Sequence, residues 1–83
     1  MSKKHILVWI EEPKVGEGEK LQYYRGLMSG ILHPTNIPIR GGVACSSNCW
    51  LLSREDDVGA LAKIVCAAAD HELKYGVRFL SED

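Results

Sequence analysis

Residues 4–12, KHILVWIEE, constrain the chain more than any other segment. β-Branched and large side chains fill the stretch, Pro13 closes it, and the residues alternate with the two-residue period of a strand. Ile6, Val8 and Ile10 fall on one side, with His5, Leu7, Trp9 and Glu11 on the other. Bulk on both sides predicts a central strand, so the rest of the chain has to build a sheet around it and cover at least one face.

The remaining sequence can do this. Leu21, Tyr24, Leu27 or Met28, and Ile31 recur at three- to four-residue spacing, which predicts a helix over 19–32. Gly26 and Gly30 each weaken that helix by about 1 kcal/mol relative to Ala, but they share one face, where close approach to a sheet would suit them. His33-Pro34 stops it. Residues 37–44, IPIRGGVA, read as an irregular edge strand, with Pro38 fixing the edge position and Gly41-Gly42 a bulge. Residues 45–48 supply turn chemistry, and 49–52, CWLL, form a short strand. Ser53 is the expected N-cap of a second helix, with Asp56 in the capping-box position and Glu55, Asp56 and Asp57 in its first turn. That helix is expected to reach about residue 74 and to bury Val58, Leu61, Val65 and Ala68 or Ala69. Gly76 fits a left-handed residue after it, and 77–80, VRFL, is the last strand.

Strand, helix, strand, strand, helix, strand is the βαββαβ order of ferredoxin-like domains. The expected fold is therefore an α+β sandwich, a four-stranded antiparallel sheet with two helices on one face. These elements use nearly all of the 83 residues, which predicts a single domain over 1–83.

Ten basic and eleven acidic residues give a formal net charge of -1, and Lys3-Lys4 is the one basic cluster. Proteins built to neutralise phosphates carry a concentrated basic excess, so nucleic acid is not the expected partner. No apolar run approaches the ~20 residues of a membrane span, and none is expected to engage a membrane. Three cysteines do not suit a fully paired secreted framework, so a reducing, cytoplasmic setting with free thiols is expected.

No constellation nominates catalysis. Cys45-Ser-Ser-Asn-Cys49-Trp50 resembles, over six residues, the cysteine–tryptophan segment around the nucleophile of papain-like proteases. It departs by one residue in spacing, and Cys49 falls in a predicted strand where those enzymes open a long helix. Structural zinc wants four ligands, and beyond this pair only Cys66, His5, His33 and His71 remain, all isolated, so no metal or cofactor is expected. Cys45 and Cys49 flank the predicted turn and form a candidate redox pair. The glycines at 16, 18, 41 and 42 lack the spacing of a phosphate or dinucleotide loop.

Two surfaces invite a partner instead. If Ile6, Val8 and Ile10 face the helices, Leu7 and Trp9 face outward together with one of Cys49 and Trp50. Tyr23, Tyr24 and Arg25 cannot all point inward from one helix. Leu7, Trp9, Trp50, Tyr23, Tyr24 and Arg25 are the expected partner-binding residues. The leading expectation is a non-enzymatic protein-binding module that docks on and regulates or inhibits a larger protein, or pairs with a second copy as a homodimer. Small size without a familiar motif is shared with stand-alone inhibitors, phage-encoded antagonists of bacterial defence complexes among them. Glu12-Pro13, with Gly16 displaced downstream, partly resembles the loop of ACT regulatory domains, which share this fold. That resemblance implies binding of a small ligand such as an amino acid near the loop. A third reading, RNA stacked on sheet aromatics, would rest on Trp9.

Overall fold

The computed structural model describes residues 3–14, 16, 18–30, 32–33 and 36–82. Six elements follow in order: β1 (Lys3–Ile10), α1 (Gly18–Ser29), β2 (Val43–Ser46), β3 (Cys49–Ser53), α2 (Val58–Asp70) and β4 (Tyr75–Glu82). The four strands form one antiparallel sheet in the order β2-β3-β1-β4, an α+β architecture with β1 in the interior as its sequence demands. β1 and β4 pair along their whole length, from Lys3 opposite Glu82 to Ile10 opposite Tyr75.

The period-two pattern of β1 decides where the core lies. Ile6, Val8 and Ile10 are buried, and the register sets Leu52 opposite Ile6 and Trp50 opposite Val8 on the same face. Tyr24 and Leu27 from α1 and Ala60, Ile64, Ala67 and Ala68 from α2 join Val8, Ile10, Trp50 and Leu52 in one cluster. Both helices therefore pack on the side of the sheet to which Val8 and Ile10 point. Leu32, Ile37 and Leu73 close its ends from the connections.

The boundaries differ from expectation at several points, each for a local reason. β2 begins at Val43 rather than at residue 37, and the Pro38–Gly42 stretch runs as a connection. Gly42 lies so close to β3 that a Cβ on it would collide with the backbone of Leu51 and Leu52. Ser53 ends β3 instead of capping α2; its hydroxyl accepts the amides of Glu55 and Asp56, each at 3.3 Å, and so closes the turn at 54–56. α2 starts at Val58 and buries Ala68 as expected, but the rest of its buried stripe is Ala60, Ile64 and Ala67, with Val58 exposed and Leu61 and Val65 half-buried.

α2 ends at Asp70, short of residue 74. The Leu73 amide donates to the Ala68 carbonyl at 2.9 Å and the Glu72 amide to that of Ala69 at 3.1 Å, with Glu72 at φ 54°. This is a Schellman ending whose left-handed residue is Glu72, not the expected Gly76. Gly76 lies inside β4 opposite Trp9. α1 spans Gly18–Ser29, shorter than predicted; Ile31, Pro34 and the side chain of Lys3 lie outside the described residues.

Candidate functional site

The outer face of the sheet carries His5, Leu7 and Trp9 from β1, with Ser53, Leu51 and Cys49 opposite them on β3. Leu7, Trp9, Leu51 and Cys49 are half-buried although no helix covers them, because neighbouring side chains on a flat strand surface shield one another. Trp9 lies across Gly76, whose missing side chain leaves the indole its seat on β4; a Cβ there would overlap the ring. Val43 on β2 and Leu80 on β4 flank this patch and are exposed.

Trp50 does not belong to it. The turn at Ser47 and Asn48 fixes a register in which Cys49 opposes Trp9 and Trp50 opposes Val8, so Trp50 points into the core and is 1% exposed. Tyr24 leaves the expected binding set for the same reason, as its ring is buried in the core. Burial and the nearby Glu12 carboxylate push the Tyr24 hydroxyl above its ordinary value, while a hydrogen bond with Asn48 pulls it back. Asn48 also donates from Nδ2 to the Ile10 carbonyl at 2.9 Å and accepts the Ser46 hydroxyl at 3.0 Å, tying the β2–β3 turn to the end of β1. Tyr23 and Arg25 remain exposed on α1, and Tyr23 stacks on His71 with ring centroids 5.0 Å apart.

A further exposed apolar surface lies along β4, outside the expected partner-binding residues. β4 is an edge strand on which Tyr75, Phe79 and Leu80 are 42%, 66% and 37% exposed. Phe79 stands opposite Ile6 on the core side of the sheet but remains largely open, with the Arg54 guanidinium 5.7 Å from its ring centre. Leu80 stands opposite His5 on the outer face, so β4 presents apolar side chains on both sides of a backbone edge that no other strand among the described residues pairs with. The signal was available: in the βαββαβ order the last strand is an edge, and VRFL has bulk at every position.

Two polar clusters complete the geometry. Asp57, 1% exposed, accepts the Arg40 amide at 2.5 Å, the Gly41 amide at 3.1 Å and the Ser53 amide at 2.9 Å. Burial alone would raise its carboxyl, but the amides of Arg40, Ser53, Gly41 and Gly42 outweigh it and hold the group below its ordinary value of 3.8. This carboxylate fastens the entry of β2 to the end of β3. Its oxygens are fully engaged by backbone, which leaves it a clamp with no free lone pair aimed at a ligand. At the other end of the hairpin, Cys45 is exposed and Cys49 half-buried, both as free thiols. Burial, the neighbouring Cys45 and a hydrogen bond between the two thiols push the Cys49 thiol up.

A shallow pocket of about 150 Å3 lies beside the loop after β1, between Glu11, Glu12, Lys14, Lys20, Glu72 and Lys74. Among the described residues no group of three or more His, Cys, Asp or Glu side chains converges to hold a metal ion, and no helix is long and apolar enough to cross a membrane. Set against protein-family models, curated proteins and solved structures, the chain matches none of them.

Proposed function

We propose that this chain is a non-enzymatic protein-binding module, a ferredoxin-like domain that docks on a larger protein and regulates or inhibits it. The ferredoxin-like reading is supported by the strand order: β3 lies between β1 and β2, and β1 lies between β3 and β4, so two βαβ units are split by one another's strands. The binding reading rests on β4, where an eight-residue strand at the edge of the described sheet exposes Tyr75, Phe79 and Leu80. Such an edge is a ready template for a strand of another chain, with side-chain pockets on either side supplying specificity. Apolar bulk at an edge has a cost for a monomer, which proteins commonly relieve by covering it.

The test is a pull-down from the protein's own cells with wild type and Phe79→Lys side by side, with light scattering on each purified chain. A stoichiometric larger companion that is retained by wild type and reduced at least tenfold by Phe79→Lys, with melting unchanged within a few degrees, supports docking at β4. Retention by both chains alike moves the interface elsewhere. A dimer that Phe79→Lys dissociates assigns the edge to a second copy.

One observation favours a second reading. The pocket beside Glu12-Pro13 is lined by both acidic and basic side chains, which suits a zwitterion the size of an amino acid and supports a small-ligand regulatory domain of the ACT kind. A thermal-shift screen of amino acids that raises the melting temperature would advance it, and a flat screen would remove it.

A further inference from the structure

In a regular antiparallel hairpin whose turn is Ser47-Asn48, Ser46 opposes Cys49 and Cys45 opposes Trp50. Cys45 would then share the face of Trp50, which is the core side, and its thiol would be separated from that of Cys49 by the sheet itself. The observed register is different. Ser46 does oppose Cys49, but Ala44 opposes Trp50, and Cys45 is the extra residue between them. A β-bulge of this kind sets two residues of one strand against a single residue of its neighbour. Here Cys45 and Ser46 share Cys49, which brings Cys45 alongside Cys49 at the turn end of the hairpin. Residues facing one another across an antiparallel pair have Cα atoms about 4.5–5.5 Å apart; Ser46 holds that place opposite Cys49, and the bulge draws Cys45 toward it, in the direction that the roughly 4.4–6.8 Å Cα span of a disulfide requires.

We propose that Cys45 and Cys49 are a reversible redox pair, joined across the β2–β3 hairpin by exchange with small disulfides of the glutathione class. Cys45, exposed on the edge strand, is the thiol a small disulfide meets first. Its thiolate attacks one sulfur of the disulfide, forming a mixed disulfide and releasing one thiol. The Cys49 thiolate then attacks the Cys45 sulfur, expelling the second small thiol and closing the protein disulfide. The two cysteines lose two electrons and two protons, and the small disulfide gains both to become two thiols. Reduced glutathione reverses the sequence. The loop closed is only five residues long (45–49), so the bond removes little chain entropy from the unfolded state and adds modest stability. Exposed disulfides of that kind are the labile ones, which suits exchange rather than permanent bracing. Cys66, exposed on α2, lies across the sheet and is no partner for either thiol. Cys49 stands directly opposite Trp9 in the ladder, so oxidation of the pair braces the outer face independently of the β4 edge.

The experiment uses the full chain with Cys66→Ser, equilibrated in mixtures of reduced and oxidised glutathione, once native and once in concentrated urea. After acid quenching, free thiols are alkylated and the species counted by mass spectrometry. If the fold brings the thiols together, the ratio of Cys45–Cys49 disulfide to dithiol is at least tenfold higher native than in urea, equivalent to about 1.4 kcal/mol. An equal or lower native ratio overturns the proposal, as does a stable glutathione adduct on Cys45 with no closure. Peptide mapping of the oxidised wild-type chain gives the same answer if the variant folds poorly: a 45–49 link supports the pair, and links through Cys66 overturn it.

Discussion

At one edge of the sheet, β2 is four residues long, carries a bulge at Cys45 and is entered through a glycine pair pressed onto β3. At the other, β4 runs eight residues in unbroken register with β1 and carries exposed aromatic and aliphatic side chains on both faces. Exposed edges recruit foreign strands, and proteins blunt them by shortening or bulging the strand. β2 shows both devices and β4 neither. The contrast teaches that the two edges answer to different demands: β2 is shaped by what holds it to the molecule, and β4 by what it leaves open.

The two edges are also entered differently, and substitutions at the entries break or sharpen the comparison. The largest effect is expected at Gly42, where any Cβ meets the Leu51 carbonyl and the Leu52 backbone with no flexible side chain to yield. Gly42→Ala is expected to cost about 3 kcal/mol or more, read as a fall in the denaturant midpoint. Next is Asp57→Asn, which removes the charge and turns an N–H2 group toward amides that themselves donate. A loss of roughly 2–3 kcal/mol at neutral pH is expected. Because the carboxyl of Asp57 titrates below its ordinary 3.8 in the folded chain, its contribution is complete above about pH 4 and fades as pH falls through the folded value. The stability gap between wild type and Asp57→Asn should narrow in that acid range; a gap independent of pH would deny Asp57 its role.

Changes on the β4 side are expected to be smaller. Gly76→Ala forces the Trp9 ring off its seat, but that ring is on the open face and can swing away, so about 1–2 kcal/mol is expected. A shift in tryptophan emission with that loss would tie it to Trp9. Glu72 holds a left-handed backbone at the turn that feeds β4. Relieving it with Glu72→Gly should raise stability by about 0.5–1 kcal/mol, seen as a higher melting temperature.

How much of this could be read from the chain follows from where each cause lies. β1 and α2 were legible because their periodicity is local: Ile6, Val8 and Ile10 alternate, and the apolar content of 58–70 keeps a helical face. The facing of Trp50 was not, because CWLL is apolar on both sides and its register is set by pairing with β1. Tyr24 and Tyr23 are adjacent and alike, and only packing against the sheet separates the buried ring from the open one. The start of α2 was misplaced because Ser53 and Asp57 both have capping chemistry, and two of the donors that claim Asp57, Arg40 and Gly41, lie 17 and 16 residues upstream. The bulge that brings Cys45 to Cys49 is equally non-local in origin, a slip of one residue against β3.

The same carboxylate has a consequence for how the molecule breathes. Asp57 occupies the N-cap position of α2, yet its side chain makes no bond to the helix. The first amides of any helix lack a partner within it, and here the residue best placed to supply one has turned away toward Arg40, Gly41 and Ser53. Proton exchange with solvent should therefore run against the usual ranking. The amides of Arg40 and Gly41, in a connection without regular structure, are held by a buried anion and give up their protons only when β2 lifts from β3. Those of Val58 and Gly59, at the head of a helix, are left to trade with water while the rest of the fold stays shut.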